Sequence, residues 1–146
     1  MAEYIPSPTD WVRNQVEAIE LAGTTDAADI QGMRVVLLTM KGAKSGAIRK
    51  VPLMRVEHDG TYAAVGSKGG APEHPQWVHN LWADPHLTLQ DRATVTDRVA
   101  RQIEGEEYDQ WWERAVAAFP PYADYVRKAA AADRTIPLFL LEEPAE

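Results

Sequence analysis

Two glycine-containing loops concentrate positive charge in this sequence. The first, Lys41 to Lys50, holds four cations, a serine and two glycines in ten residues. Glycine lets backbone N–H groups approach a ligand closely, and arginine can bind a phosphate or carboxylate through two hydrogen bonds. Lys44, Ser45 and Arg49 therefore predict a cradle for an anionic group. The alternative is a solvated basic turn.

The second loop lies between Gly66 and Trp77, after a predicted strand and before a predicted helix. Lys68 supplies charge, and Gly69 and Gly70 allow main-chain donors to reach a ligand. The N-terminus of the following helix also favours anions. The alternative is a plain connection without a ligand. Because the whole chain has a formal charge of −7, two cationic glycine loops together favour an anionic ligand more than either does alone.

Few other features of the sequence could carry catalysis. The acidic balance argues against a nucleic-acid partner, and the absence of cysteine excludes disulfides and thiolate catalysis. There is no G-x-S-x-G elbow. We predict no metal site because the histidines are not spaced along the sequence as metal ligands are; they are His58, His74, His79 and His86. A cofactor that carries the reaction itself fits this pattern better than hydrolysis does.

The elements that must hold these loops are read from hydrophobic periodicity. The predicted strands are Met33–Met40, Val51–His58, Tyr62–Gly66, His86–Gln90, Thr94–Ile103 and Ile136–Glu142. The predicted helices run to about Ala22 from a cap at Thr9 or Asp10, then over Gln76–Ala83, Glu104–Phe119 and Tyr122–Ala132. Six strands with two hairpins favour an antiparallel or mixed sheet, which is compatible with a small barrel. Pro137 predicts that the last strand starts at a sheet edge.

The helices at the two ends of the chain bear on any pocket. The N-terminal helix has a patchy apolar face, for which we prefer packing on the protein's own core; covering a pocket mouth, or docking on an apolar acceptor or a membrane surface, stays open. We interpret Trp111 and Trp112 as core. Tyr122 and Tyr125 share one helix face and are either packing residues or a pocket wall. We expect one soluble domain over residues 1–146, with 1–32 as N-terminal helix and linker, and a cytoplasmic location that leaves open weak contact with the inner face of the membrane.

Three segments resemble the deazaflavin-dependent nitroreductase family, whose enzymes use coenzyme F420. They are Leu37–Leu53, Gly66–Pro85 and Tyr122–Leu141. The most specific part is the Ser-Lys-Gly-Gly block followed by Pro-x-Trp and Asn-Leu. The resemblance implies an α+β or mainly β fold, a split β-barrel of the FMN-binding type with about six strands and helices packed around it. It also implies a monomer or homodimer.

The resemblance assigns roles to residues of both loops. It implies that Lys44, Ser45 and Arg49 hold the phosphate region of F420, with Pro52 and Leu53 beside its polar chain. The residues implied to line the deazaflavin ring and ribityl portion are Ser67, Lys68, Gly69, Gly70 and Trp77. Tyr122 and Tyr125 match tyrosines that border the acceptor pocket. Val78-His79 departs from the family pattern, which bears on the choice of acceptor.

The expected activity is hydride transfer from reduced F420 to an electron-poor acceptor, namely a quinone, an activated enone or a nitroaromatic. Two alternatives stay open at this point. An FMN-dependent reductase of the same barrel class would bind a phosphate similarly, and a non-catalytic cofactor-binding protein would bind without turnover.

Overall fold

The computed structural model of the protein describes residues 3–144. Its helices are α1 (Asp10–Ala22), α2 (Gln76–Ala83), α3 (Gly105–Ala118) and α4 (Tyr122–Ala131). Its strands are β1 (Asp29–Ile30), β2 (Met33–Lys41), β3 (Ile48–Met54), β4 (Glu57–His58), β5 (Thr61–Val65), β6 (His86–Asp91), β7 (Thr94–Gln102) and β8 (Leu138–Glu142). Short 3-10 turns cover Thr25–Ala27 and Lys68–Gly70.

The strands form one curled sheet in the order β3-β2-β6-β7-β8-β5-β4, with β1 on the start of β2. Every pairing between these strands is antiparallel, which confirms the predicted antiparallel or mixed sheet. After β3 the chain runs through Arg55 and Val56 into β4, which pairs with β5, and the Ala63 N–H donates to the Val56 carbonyl at 2.9 Å. Over residues 3–144 no strand ladder joins β3 itself to β5. The sheet therefore closes at one end and leaves a seam between these two strands.

Strand β2 is apolar in sequence because both of its faces are covered. Val36 and Leu38 pack inside the curled sheet, whereas Val35 and Leu37 pack against α1 on the outside. A strand buried on both faces reads as a continuous apolar run rather than an alternating one. Burial of each such side chain stabilises the fold by about 1.5–3 kcal/mol, so β2 anchors both the barrel and α1.

Helices α3 and α4 cover the β5 and β8 side of the sheet. Trp111 is 6% exposed in the core that they form, and Trp112 packs against that core, as predicted. Helix α4 also lies on the Lys68–Gly70 turn, where a Cβ atom added to Gly70 would sit 2.7 Å from Lys128 Cβ and 2.8 Å from the Tyr125 carbonyl oxygen. This close approach requires glycine at position 70.

Several element predictions were wrong in their detail. The predicted Lys41–Lys50 loop is only Gly42–Ala47, because the β2–β3 ladder runs on to the Lys41–Ile48 pair and so includes Arg49 and Lys50. Ladder pairing outweighs weak local strand preference there. The last strand is central, between β5 and β7, since Pro137 precedes Leu138 and takes no place in the ladder.

The N-terminal part differs from the prediction in two further points. Within residues 24–32, expected to be linker, the chain forms a 3-10 turn and strand β1. Thr9 occupies the N-cap of α1, but no side-chain hydrogen bond caps the helix. The expected packing of α1 on the core is confirmed by Val16 and Ile19, which are 2% and 0% exposed.

Replacing Gly70 by alanine tests the contact between α4 and the Lys68–Gly70 turn. Gly70 and Gly32 both have positive φ, +83° and +79°, but a Cβ at Gly32 meets nothing within 4 Å. Both alanine variants should lose about 1–2 kcal/mol for the left-handed backbone. Gly70→Ala should lose roughly 1–3 kcal/mol more through overpacking. Urea unfolding measures both losses, and equal losses would contradict the close packing described here.

Candidate functional site

The seam between β3 and β5 opens into a cavity of about 780 Å³. Strand β3 forms one wall, and residues 67–69 with the start of α2 form another. Phe119, Tyr122 and Tyr125 line a third side. Part of the lining also comes from Ser7, Pro8, Thr9, Trp11 and Val12, and Trp11 is 53% exposed. Helix α1 thus packs on the core with one face and borders the cavity with its first turn.

The charge of the cavity is opposite to that of the chain. Arg49, Lys50 and Lys68 line it, while no aspartate, glutamate or histidine within residues 3–144 does so. The chain as a whole carries −7. A concave site lined by charge of one sign focuses the field on a ligand of opposite charge. The cavity therefore suits an anionic ligand, and its described lining offers no carboxylate or imidazole for acid–base catalysis.

The three cations differ in how far protein partners occupy them. Lys50 is paired with Glu20 and lies 5.0 Å from the centre of the Tyr4 ring. Lys68 Nζ is 3.1 Å from a Glu73 carboxylate oxygen. Arg49 makes no ion pair or side-chain hydrogen bond within residues 3–144, so its planar donor fork is the one most available to a ligand.

Nine of the twelve predicted binding and acceptor-pocket residues line this cavity. They are Arg49, Pro52, Leu53, Ser67, Lys68, Gly69, Trp77, Tyr122 and Tyr125. Lys44 is exposed in the β2–β3 hairpin loop and does not line it. Ser45 is also outside the lining, where its Oγ accepts a hydrogen bond from the Ala47 N–H at 3.1 Å. Gly70 packs under α4 instead. The ligand-binding role of all twelve residues stays a prediction.

Residues 67–69 line the cavity with a backbone of unusual conformation. Ser67 has right-handed helical angles, and Lys68 and Gly69 have φ of +46° and +64°. Such a succession of backbone conformations directs consecutive N–H groups into one anion-binding concavity. None of these three N–H groups has an acceptor within residues 3–144, although the Gly70 N–H donates to the Ser67 carbonyl at 2.9 Å.

Arg134, which no sequence feature singled out, lies behind this turn. Its guanidinium donates to the carbonyls of Gly66, Ser67 and Ala71 at 2.9, 2.5 and 2.8 Å, and the residue is only 7% exposed. It follows α4 through a turn in which its own N–H bonds the Ala129 carbonyl. The Tyr122–Leu141 segment contained it, but no periodicity marks a buried arginine in a loop.

Asn80 is a second residue that the sequence analysis missed. It is 3% exposed and lines the cavity. Its Oδ1 accepts hydrogen bonds from the Ala43 N–H at 3.0 Å and from Gln76 Nε2 at 3.3 Å. Asn80 therefore ties the hairpin loop to α2. The available signal was the Asn-Leu pair within the resembling segment.

Tyr122 gives the apolar side of the cavity a polar group. Burial, followed by the neighbouring Tyr125, raises the pKa of Tyr122 above its ordinary value. The hydroxyl is therefore protonated at neutral pH and can donate a hydrogen bond to a ligand. Its ring packs edge-on against Phe119 at 4.9 Å. Val78 is fully buried and His79 is exposed, so the departure from the family pattern at these positions lies outside the cavity lining.

A curled antiparallel sheet with a cavity at its seam defines a split β-barrel, as predicted. An FAD-binding protein of Mesorhizobium loti has this fold, with a TM-score of 0.55 and 17% identity over 87% of this chain and 88% of that one. A likeness at this level of identity concerns the fold alone.

The chain belongs to the F420H(2)-dependent quinone reductase family, whose model matches residues 11–143. A solved F420-H2 dependent reductase (FDR-A) is 54% identical over 74% of this chain and 93% of its own, with a TM-score of 0.68. A chain described as a domain-swapped dimer is 53% identical over 93% of this chain and 100% of its own, with a TM-score of 0.72.

A curated relative is the F420H(2)-dependent quinone reductase of Mycobacterium tuberculosis, 39% identical over 54 residues. That match covers 37% of this chain and 36% of the relative, so the aligned part spans about a third of the curated protein.

Three further sequence predictions concern metals, membranes and assembly. Within residues 3–144 no group of three histidines or carboxylates is placed to hold a metal ion. No helix of the described range is long and apolar enough to cross a membrane. The cytoplasmic location, contact with a membrane surface, and the choice between monomer and homodimer stay predictions.

The contact between His74 and Arg134 predicts that the stability of the protein depends on pH. His74 Nδ1 lies 2.8 Å from Arg134 Nη1; burial first, then Arg134 and His79, lower the pKa of His74. The unfolded chain therefore binds this proton at higher pH than the folded one, so stability falls as pH drops below about 6.5. Asparagine at position 74 keeps an acceptor but does not titrate.

Urea unfolding from about pH 7 to pH 5 compares the native protein with His74→Asn. The native protein should lose more stability than the variant over this range, because only the native protein carries a histidine at position 74. Parallel losses in the two proteins would show that His74 is not coupled to folding.

Proposed function

We propose that this chain is an F420-dependent reductase that transfers a hydride from the reduced deazaflavin to a quinone or another electron-poor acceptor. The observation that carries the proposal is the cavity at the barrel seam. It is lined by three cations and, within the described residues, by no acidic side chain, on a chain of charge −7. Membership of the quinone reductase family and the 54% identical F420-H2 dependent reductase support the choice of cofactor.

The cavity residues fit a cofactor that has a phosphate and a flat polar ring. The free guanidinium of Arg49 suits the phosphate, and the N–H groups of residues 67–69 suit the carbonyl oxygens of the ring. Trp77, which is 6% exposed and packs edge-on against Phe139, gives that wall a fixed shape. Reduced F420 supplies the hydride when bound. The protein's own part is to orient it and exclude water.

The acceptor would occupy the aromatic side of the same cavity. Phe119, Tyr122 and Tyr125 offer apolar ring faces there, and the protonated Tyr122 hydroxyl can donate a hydrogen bond to an acceptor oxygen as that oxygen gains negative charge. A flat quinone matches this wall in shape and polarity. Activated enones and nitroaromatics have the same character and form the rest of the acceptor panel.

Ligand titration followed by turnover tests the proposed function. F420 should bind more tightly than FMN, and the reduced cofactor should be oxidised anaerobically when menadione is added. Tighter binding of FMN would replace this proposal with an FMN-dependent reductase. Binding of F420 without oxidation by any quinone, enone or nitroaromatic would leave a cofactor-binding protein that is not a reductase.

Arg49→Ala, with Lys44→Ala as its matched control, tests the anionic end of the cavity. Both changes remove one positive charge from the same hairpin, but only Arg49 lines the cavity. A direct charged hydrogen bond is worth about 1.5–3 kcal/mol, so Arg49→Ala should weaken F420 binding roughly ten- to a hundredfold.

Lys44→Ala should change the dissociation constant little, since Lys44 is exposed in the loop. Fluorescence titration at fixed ionic strength measures both variants. Equal effects of the two substitutions would mean that only the overall charge of the hairpin matters.

A further inference from the structure

The buried Arg134 binds carbonyl groups of the turn at residues 66–71 but none of its N–H groups. The carbonyls of Gly66, Ser67 and Ala71 accept hydrogen bonds from Arg134. The N–H groups of residues 67–69 have no acceptor in the described range, and these three residues line the cavity. We infer that Arg134 is a positioning residue of the site. By holding the carbonyls, it keeps the N–H groups directed at the ring of the bound cofactor. This inference rests on the proposed function for the identity of the ring.

The donor geometry explains why an arginine is needed. Guanidinium is planar and offers five N–H donors in a fixed fork. Nε reaches Ala71, Nη1 reaches Gly66 and approaches His74 Nδ1, and Nη2 reaches Ser67. Within this turn, Gly66 and Ser67 precede the 3-10 segment Lys68–Gly70 and Ala71 follows it, so one side chain holds both ends of that segment. Lysine has a single ammonium group and cannot span these positions.

The turn needs a side chain that holds its carbonyls because its backbone conformation is rarely adopted. Lys68, Gly69 and Gly70 all have positive φ. This backbone conformation is strained at Lys68, because Lys68 carries a side chain. Gly66 and Gly70 are wedged against neighbours that a Cβ would strike below 3 Å. The peptide planes between them are held by the Gly70 N–H to Ser67 carbonyl bond and by Arg134. Loss of the guanidinium would free these planes to rotate.

Arg134 and Arg49 should therefore act on different parts of the cofactor. Arg49 would bind the phosphate, whereas Arg134 would act through the turn on the ring. The fragment of F420 that keeps the deazaflavin ring and ribityl chain but lacks the phosphate and its tail separates the two effects. A defect at Arg134 should appear with both ligands, and a defect at Arg49 should appear with F420 alone.

Arg98→Ala is a matched control for Arg134→Ala. Arg98 is also 7% exposed and also donates to backbone carbonyls, those of Gly60 and Leu141 at 3.1 and 3.2 Å. It does not line the cavity. Both variants lose a buried arginine and its carbonyl contacts, so a difference between them isolates the turn at residues 66–71 from general destabilisation.

The first measurement is amide hydrogen exchange in the ligand-free protein. In Arg134→Ala the amides of Gly70 and Ala71, which donate to the Ser67 and Lys68 carbonyls at 2.9 and 3.1 Å, should exchange faster than in the native chain, and in Arg98→Ala they should not. Added guanidinium ion, far below concentrations that unfold the protein, should restore slow exchange in Arg134→Ala. Unchanged exchange at Gly70 and Ala71, or an equal change in Arg98→Ala, would overturn the inference.

The second measurement is binding. Arg134→Ala should bind both F420 and the phosphate-free fragment about tenfold or more weakly, and guanidinium should recover this affinity. A loss confined to F420 would overturn the role at the ring. If Arg134→Ala does not fold, Arg134→Lys replaces it. Exchange and affinity equal to those of the native chain in Arg134→Lys would overturn the inference that the guanidinium holds the turn.

The two proposals can fail separately. If the native chain binds neither F420 nor the fragment, the proposed function fails and the role of Arg134 toward the ring falls with it. Exchange in the ligand-free protein still decides whether Arg134 orders the turn.

Discussion

The path of the chain from β3 through β4 to β5 sets the form of this molecule. Because β4 continues β3 and pairs with β5, the curled sheet closes at that end and stays unpaired along the rest of the β3–β5 seam. Unpaired backbone at a seam must be covered or must face a ligand. Here the cavity lies at the seam, and the start of α2 and the α3–α4 junction provide its other walls.

The cavity lining has a charge opposite to that of the whole chain. A chain with 22 acidic and 15 basic residues would repel an anion at long range, yet its cavity is lined by Arg49, Lys50 and Lys68 without a described acidic neighbour in the lining. Lys50 forms an ion pair with Glu20, and Lys68 forms one with Glu73. Arg49 keeps its full donor set, which makes it the centre of the anionic subsite that we propose.

Two buried polar side chains convert flexible loops into walls of defined shape. Asn80 ties the hairpin loop to α2, and Arg134 holds the turn at residues 66–71 by its carbonyls. Both residues are buried, so leaving their backbone partners unsatisfied would cost stability. A glycine-rich loop alone allows many conformations. Each of these contacts ties a loop to a buried side chain and so reduces the conformations open to its backbone.

The sequence by itself predicted an antiparallel or mixed sheet and most helix bounds, because periodicity and breakers are local properties. Loop composition also marked the two cationic glycine loops, whereas the full set of nine lining residues came from the family resemblance. Only the tertiary structure decided that Arg49 and Lys50, and not Lys41 or Lys44, are the cations of the first loop that line the cavity. Ladder pairing draws Arg49 into β3, while Lys44 stays on the exposed hairpin. It also decided the roles of Asn80, Arg134 and Gly70. The loop backbone groups that Asn80 and Arg134 bind lie 37 to 68 residues away in the chain, and Gly70 packs against α4. No local pattern encodes contacts over such separations.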